Sequence, residues 1–301
     1  MNTLVYYLSL PFIYLVALLP FWWLRRVADF LFVVIYYLLA YRKKVVLSNL
    51  RNAFPEKTEA EIQQIARQFY RYLCDLILET FKTLTISPAT VKKHVQFEGI
   101  ALLEKYYQEG RSVILILGHF GNWELAGARF GIEPIHQLYV IYRPLKNKHF
   151  DQLLYHMRTR LGNGLYAMKE TLRGMVRDRK VISATAFIAD QTPSPDNALW
   201  LTFLHQDTPI FQGTEKIATK FNYPVIYISV KRLKRSYYRI ESELLFDQPK
   251  DTAAHEISQV YTRRLEQDIQ AQPEIWLWTH RRWKHKRQQI QHGKQPTNQS
   301  N

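Results

Sequence analysis

The sequence predicts an α/β fold with a mostly parallel central sheet flanked by helices, preceded by an N-terminal hydrophobic membrane anchor. Two textures predict the sheet. From about residue 86 short apolar runs alternate with amphipathic segments, and runs such as "SVILIL" are apolar without alternation, as strands buried on both faces are. The anchor is predicted by residues 4–24, which carry no charge and are long enough to span ~30 Å of hydrocarbon at about 20 residues.

Arg25 and Arg26 follow that run. A second apolar stretch, residues 27–41, comes next, and then Arg42, Lys43 and Lys44. The second stretch can span, lie in the interface or pack as a buried helix. The basic cluster places the bulk of the chain on the cytoplasmic side, and Trp22 and Trp23 suit the headgroup level. A cleaved signal peptide would need a basic start and a small-residue cleavage site, which this N-terminus lacks. Residues 1–45 thus read as anchor and basic juxtamembrane segment, 46–286 as the main domain and 287–301 as a polar, disordered tail.

Thr58 and Glu61 form a capping box opening a long amphipathic helix, with Ile62, Ile65, Phe69, Leu73, Leu76, Ile77 and Phe81 at helical spacing. Strands are expected at "SVILILG", "QLYVIYR", "VISATAFIAD", "PVIYISVKR" and "YYRIESELLF". Helices are expected at 98–109, 122–131, 147–162, 168–179, 213–222 and 252–270.

Composition narrows the function classes. The 41 Lys plus Arg against 26 Asp plus Glu give a formal charge of +15 and a pI near 9.7. Such a balance favours an anionic partner, and the apolar N-terminus points to an anionic membrane rather than nucleic acid. The single cysteine, Cys74, excludes an intramolecular disulfide and the usual zinc-thiolate sites, and "YLCDLIL" makes it a packing residue. "HFGNWE" lacks the second histidine of a helical zinc site, so no metal and no cofactor is expected.

The chemistry concentrates in "SVILILGHFGNWELAG". A strand runs into Gly118, and Asn122 is placed to cap the helix that follows, with Glu124 in its first turn. Residues five apart in one helix diverge by about 140°, so His119 and Glu124 share a site only if His119 lies in the loop before the helix. There they sit at the carboxyl end of a strand, where open α/β sheets bind ligands. Two readings stay open on these residues: a catalytic pair, or a capped helix whose histidine bonds locally. Arg143 and Arg158 are candidates for binding phosphate, which their planar forks suit. Asp190 and Gln191 end a strand on the same side, as substrate-positioning or turn residues. Gly213, opening "GTEKIATKF", could lie against substrate. The segment "WLWTHRRWK", with Arg281, is basic and aromatic, facing headgroups or closing the core.

"GHFGNWE" resembles the signature of the bacterial lipid A biosynthesis acyltransferases, the late lauroyl and myristoyl transferases of lipopolysaccharide assembly. "YRKKVVLSNLRNAFPE", "IYRP", "FIADQTP" and "PEIWLWTHRRWK" resemble further segments of that family in the right order, over residues 1–286. The resemblance implies a glycerolipid-acyltransferase-like core at the bacterial inner membrane, with the catalytic domain on the cytoplasmic side. It implies acyl transfer from acyl carrier protein to a hydroxyl of a lipid A precursor or related glycolipid, with His119 as general base and Glu124 as its partner. Asn122, Arg143, Arg158, Asp190, Gln191, Gly213 and Arg281 complete the candidate set. The same chemistry on another acceptor (a mannosylated phospholipid or an aminolipid) is the alternative, and a non-catalytic membrane-anchored binding protein is the reading from a different class.

Overall fold

A computed structural model describes residues 3–195 and 198–287; the expected polar tail lies outside the described residues but for Arg287. The chain opens with helices α1 (Thr3–Leu18) and α2 (Phe21–Phe32), the latter running on as a π-helical segment, Val33–Leu38. α3 (Lys43–Ala53) and the long α4 (Glu59–Lys82) follow. The Thr58–Glu61 capping box is present in full at the start of α4.

The expected spanning anchor is overturned. Among the described residues no helix is long and apolar enough to cross a membrane. The charge-free run of residues 4–24 is broken between Leu18 and Phe21, at a proline that offers no N–H to carry the helix through. The 16 residues of α1 reach only about 24 Å at 1.5 Å each. Phe21, Leu24, Ala28 and Phe32 recur on one face of α2 and are buried, and α1 and α2 both pack along α4. Their other faces are open: Leu4, Leu8, Phe12, Leu15, Leu18, Trp22, Trp23 and Phe30 are all exposed.

The rest alternates as expected: α5 (Pro88–His94), β1 (Val95–Phe97), α6 (Ile100–Gln108), β2 (Val113–Leu117), α7 (Trp123–Gly131), β3 (Gln137–Tyr142), α8 (Lys148–Thr159), β4 (Gly164–Ala167), α9 (Thr171–Arg177) and β5 (Ser183–Ile188). A hairpin, β6 (Leu199–Phe203) and β7 (Gln206–Ile210), precedes α10 (Gly213–Phe221), β8 (Val225–Lys234), β9 (Tyr237–Phe246) and α11 (Glu256–Ala271). The main sheet has order β1-β9-β8-β2-β5-β3-β4, and only β8 and β9 pair antiparallel within it. β2 is central and buried along its whole length, which is why its sequence shows no alternation. β2, β3, β5, β8 and β9 are the five strands the sequence predicts; the short β1 and β4, α3, α5 and the β6–β7 hairpin are additional.

The site is set by the register of two neighbours. β2 and β5 run parallel, with Leu117 opposite Ile188. Two residues beyond that pair stand His119 on one strand end and Asp190 on the other, joined across the gap by a bond from Ala189 N–H to the Leu117 carbonyl at 3.1 Å.

Candidate active site

His119 lies in the loop between β2 and α7, outside the helix, as convergence with α7 requires. Asn122 caps α7, its Oδ1 accepting from Leu125 N–H at 2.9 Å. Gly121 has φ +63°, and a Cβ there would stand 1.8 Å from the Val230 carbonyl oxygen, so the loop presses on β8 where no side chain fits. Tyr72 of α4 donates to the Gly121 carbonyl at 2.5 Å from the other side.

The carboxylate bonded to His119 is that of Asp190. Its Oδ1 lies 2.6 Å from His119 Nδ1, and its Oδ2 accepts from the His119 backbone N–H at 2.8 Å. Trp276 Nε1 donates to the same Oδ2 at 2.8 Å. Burial alone would push this carboxyl up, but the adjacent imidazole and its hydrogen bonds outweigh burial and hold Asp190 below the usual carboxylate range. An ionised Asp190 accepts the hydrogen bond that Nδ1–H donates, which leaves the lone pair on Nε2. The Gln191 amide nitrogen approaches Nε2 at 3.3 Å, and Trp123 stands edge-on to the ring.

Glu124 sits in the first turn of α7, as expected, but its carboxylate is held by Arg158 of α8 in a forked pair, Nε to Oε2 at 3.0 Å and Nη2 to Oε1 at 2.5 Å. Burial alone would lower the Arg158 pKa, but the charge and hydrogen bonds of Glu124 raise it. The structure therefore contains two pairs, His119–Asp190 and Glu124–Arg158, in place of the single His119–Glu124 pair expected from sequence.

Both pairs open on one cavity of about 280 Å³, in whose wall His119, Glu124, Arg143, Arg158 and Gln191 lie together. Thr83, Tyr142, Asp151 and Asn163 also reach the wall, and the rest is apolar, with Leu115, Ala126, Phe130, Leu138 and Ile188 among its residues. A largely apolar lining with a few convergent polar groups suits a ligand with a long apolar part.

The remaining candidates fall elsewhere. Asn122 is fully buried, its Nδ2 bonded to Glu79 at 2.8 Å, so it shapes the loop and does not touch a ligand in the cavity. Gly213 begins α10 and Arg281 is exposed, and neither lines the cavity. The "WLWTHRRWK" segment closes the core: Trp276, Trp278 and Arg282 are almost completely buried, and Arg282 donates to the Pro209 carbonyl at 2.8 Å. Phe120 bridges to Trp276, and Gly121 N–H donates to the Ile275 carbonyl. Trp276 was not singled out by sequence reasoning as a site residue, although a buried indole N–H demands an acceptor. Cys74 is buried, its thiol pushed up to about 12 by burial, so it offers no thiolate nucleophile.

The sequence profile described as "Bacterial lipid A biosynthesis acyltransferase" matches residues 1–285. The chain belongs to that family. It is similar to the lipid A biosynthesis palmitoleoyltransferase of Escherichia coli, 25% identical over 252 residues covering 81% of this chain and 79% of the relative. The lipid A biosynthesis lauroyltransferase of the same organism is 23% identical over 250 residues, covering 81% and 79%. A lipid A biosynthesis acyltransferase of Haemophilus influenzae is 19% identical over 277 residues, covering 90% and 85%. This member of the lipid A biosynthesis acyltransferases is thus an acyltransferase, and the cavity with its two polar pairs is its candidate active site.

Proposed function

We propose that this acyltransferase moves a fatty acyl chain from an acyl carrier protein thioester to a hydroxyl group of a lipid A precursor, at the cytoplasmic face of the bacterial inner membrane. The observation that carries the mechanism is the His119 imidazole, bonded through Nδ1 to Asp190 in the wall of a largely apolar cavity, with the Gln191 amide beside its Nε2. His119 Nε2 takes the proton of the acceptor hydroxyl as its oxygen attacks the thioester carbonyl. The carbon–oxygen bond forms, the carbon–sulfur bond breaks, and the imidazolium returns its proton to the departing thiolate. Asp190 orients the ring and stabilises the imidazolium, the part the sequence suggested for Glu124. Glu124 instead fixes the guanidinium of Arg158 by two of its nitrogens, which leaves Nη1 to donate to the developing oxyanion or to a phosphate of either substrate. Arg143, exposed on the same wall, is placed for such a phosphate as well.

The partners follow from charge and shape. A chain of +15 suits an acidic carrier protein. The exposed apolar faces of α1 and α2, bordered by Arg25, Arg26, Arg42, Lys43 and Lys44, suit a helix pair that lies in the interface of an anionic membrane. A lipid acceptor would then enter from that surface.

The test incubates the full-length protein in lipid vesicles with acyl carrier protein thioesters of several chain lengths and a tetra-acylated lipid A precursor, and weighs the lipid. Wild type adds one acyl mass, and His119→Ala adds none. Failure of wild type to acylate this precursor while it acylates another membrane lipid overturns the acceptor. Transfer undiminished in His119→Ala overturns the mechanism.

A further inference from the structure

A second depression, of about 510 Å³, opens where the end of α1, the start of α2, the end of α4, α5 and the turn between β8 and β9 meet. Its titratable lining groups are Arg25, Lys82, Lys93, His94 and Tyr237, with no carboxylate among them. The acids nearby are engaged elsewhere. Asp29 and Asp75 hold Arg235, and Glu133 holds Arg129 and Lys92.

Among the described residues the three full cations therefore stand without a carboxylate counter-ion. Lys82 is the most costly, being nine-tenths buried, and its ammonium reaches only carbonyl oxygens, of Ala17 at 2.9 Å and Leu18 at 3.4 Å. Burial pulls its pKa down, as expected for an ammonium with no acid beside it. His94 cannot supply a negative partner. It is stacked between Phe21 and Tyr237 with ring centroids 3.7 and 4.5 Å away, and its Nδ1 lies 2.7 Å from the Ser236 carbonyl oxygen. The two carbonyls at the end of α1 occupy two of the three ammonium donors, and the positive charge of the groove is left unbalanced, which an anion would offset.

The rim of the groove supplies the rest of the ligand's description. Leu18 and Trp22 border it, 68% and 55% exposed, and they continue the open apolar face of α1 and α2. An anion that reaches Arg25, Lys82 and Lys93 from this side carries hydrocarbon against Leu18 and Trp22. We propose that the groove is a phospholipid headgroup site, in which the phosphate of a bilayer lipid sits among Arg25, Lys82 and Lys93 and its chains lie along the α1–α2 face. Bound there, the lipid fixes which edge of the protein faces the bilayer, with indole at the headgroup level. The proposal rests on the reading that the α1–α2 face contacts a membrane.

Vesicle co-sedimentation of the full-length protein tests both. Wild type is compared with Arg25→Glu/Lys93→Glu and with a control reversal outside the groove, Arg26→Glu/Lys44→Glu, on phosphatidylglycerol-containing and on diglyceride–glycolipid vesicles that lack phosphate. The groove variant is expected to lose binding to phosphatidylglycerol vesicles about tenfold or more, and the control about threefold or less, at equal net charge. Equal losses in the two variants mean diffuse attraction and overturn the site. Equal wild-type binding to vesicles with and without phosphate also overturns it, while leaving the membrane contact standing. No wild-type binding to either kind overturns the membrane contact itself. Thermal midpoints measured alongside identify a misfolded variant, in which case Lys93→Gln with short-chain phosphatidylglycerol, followed by Trp fluorescence, replaces it. A raised KM for detergent-dispersed acceptor with vesicle binding intact assigns the groove to the acceptor's phosphate and overturns the bilayer assignment.

Discussion

Glu79 is expected to make the protein lose stability as pH rises, and Glu79→Gln is expected to remove that loss. Glu79 lies on α4 beneath the active-site loop, 2% exposed, its Oε2 accepting from Asn122 Nδ2 and from Tyr238 O–H, each at 2.8 Å. Tyr72 and Asp75 face it from its own helix, and Ser236 and Tyr238 from β9 and the turn before it, with Arg232 of β8 next to Tyr72, Tyr238 and Asp75. Burial and then the charge of Asp75 push its carboxyl up from 4.5 to about 7, against the hydrogen bonds of Tyr238, Ser236 and Asn122. A folded-state pKa above the unfolded one means that the native state holds the proton more tightly. The resulting stability is complete below pH 4.5 and is lost as pH rises through 7. Between pH 5 and pH 8 the loss integrates to about 2.5 kcal/mol. Glutamine keeps an acceptor for Asn122 and Tyr238 without a titrating proton. Buried His280, whose pKa is pulled down to about 4 by burial, gives the opposite slope in both proteins and cancels in the comparison. Urea unfolding followed by tryptophan fluorescence at pH 5, 6, 7 and 8 measures the difference. The stability of Glu79→Gln relative to wild type should climb by about 2 kcal/mol or more over that range. A difference constant to within about 0.5 kcal/mol would refute the reasoning.

Three further outcomes follow from the site. Asp190→Asn should lower kcat about 10³-fold with little change in the KM for the donor, because the ring loses its orienting carboxylate; a loss below tenfold in steady-state kinetics would show that Asp190 is dispensable. Ala128→Leu, in the cavity wall, should shift donor preference to shorter chains by about 10-fold or more in competition between thioesters, and an unchanged product distribution would place the chain elsewhere. Gly121→Ala should destabilise the fold by about 2 kcal/mol or more, from its positive φ and its clash with the Val230 carbonyl, and a thermal midpoint equal to wild type would contradict that contact.

The sheet was legible because β2, β5 and the first six residues of β8 are apolar runs whose burial leaves a direct mark in composition. The β6–β7 hairpin left no such mark. Its turn places Leu204 and His205 at φ +49° and +63°, a conformation usually announced by Asn or Gly. The N-terminus misled because hydropathy counts apolar residues without regard to the break at Pro20 or to the face that α4 covers. His119 could be found from its strand-to-helix setting, but its partner could not. Glu124 is near in sequence, whereas Asp190 is 71 residues away and arrives only through the parallel register of β2 and β5. The Glu124–Arg158 pair likewise depends on how α8 crosses α7, which no local pattern encodes.

The bond from Trp276 to Asp190 has a consequence for the order of events in synthesis. Residues 275 and 276 zip onto the loop that carries His119, and Asn49 Nδ2 of α3 holds the carbonyls of Trp278 and His280. The ribosome releases the apolar α1–α2 pair well before this closing segment. In a nascent chain the apolar face of these helices is therefore present long before the imidazole is braced. The histidine is braced only once this segment has been made, so products truncated before it would expose the apolar α1–α2 face without an ordered active-site loop.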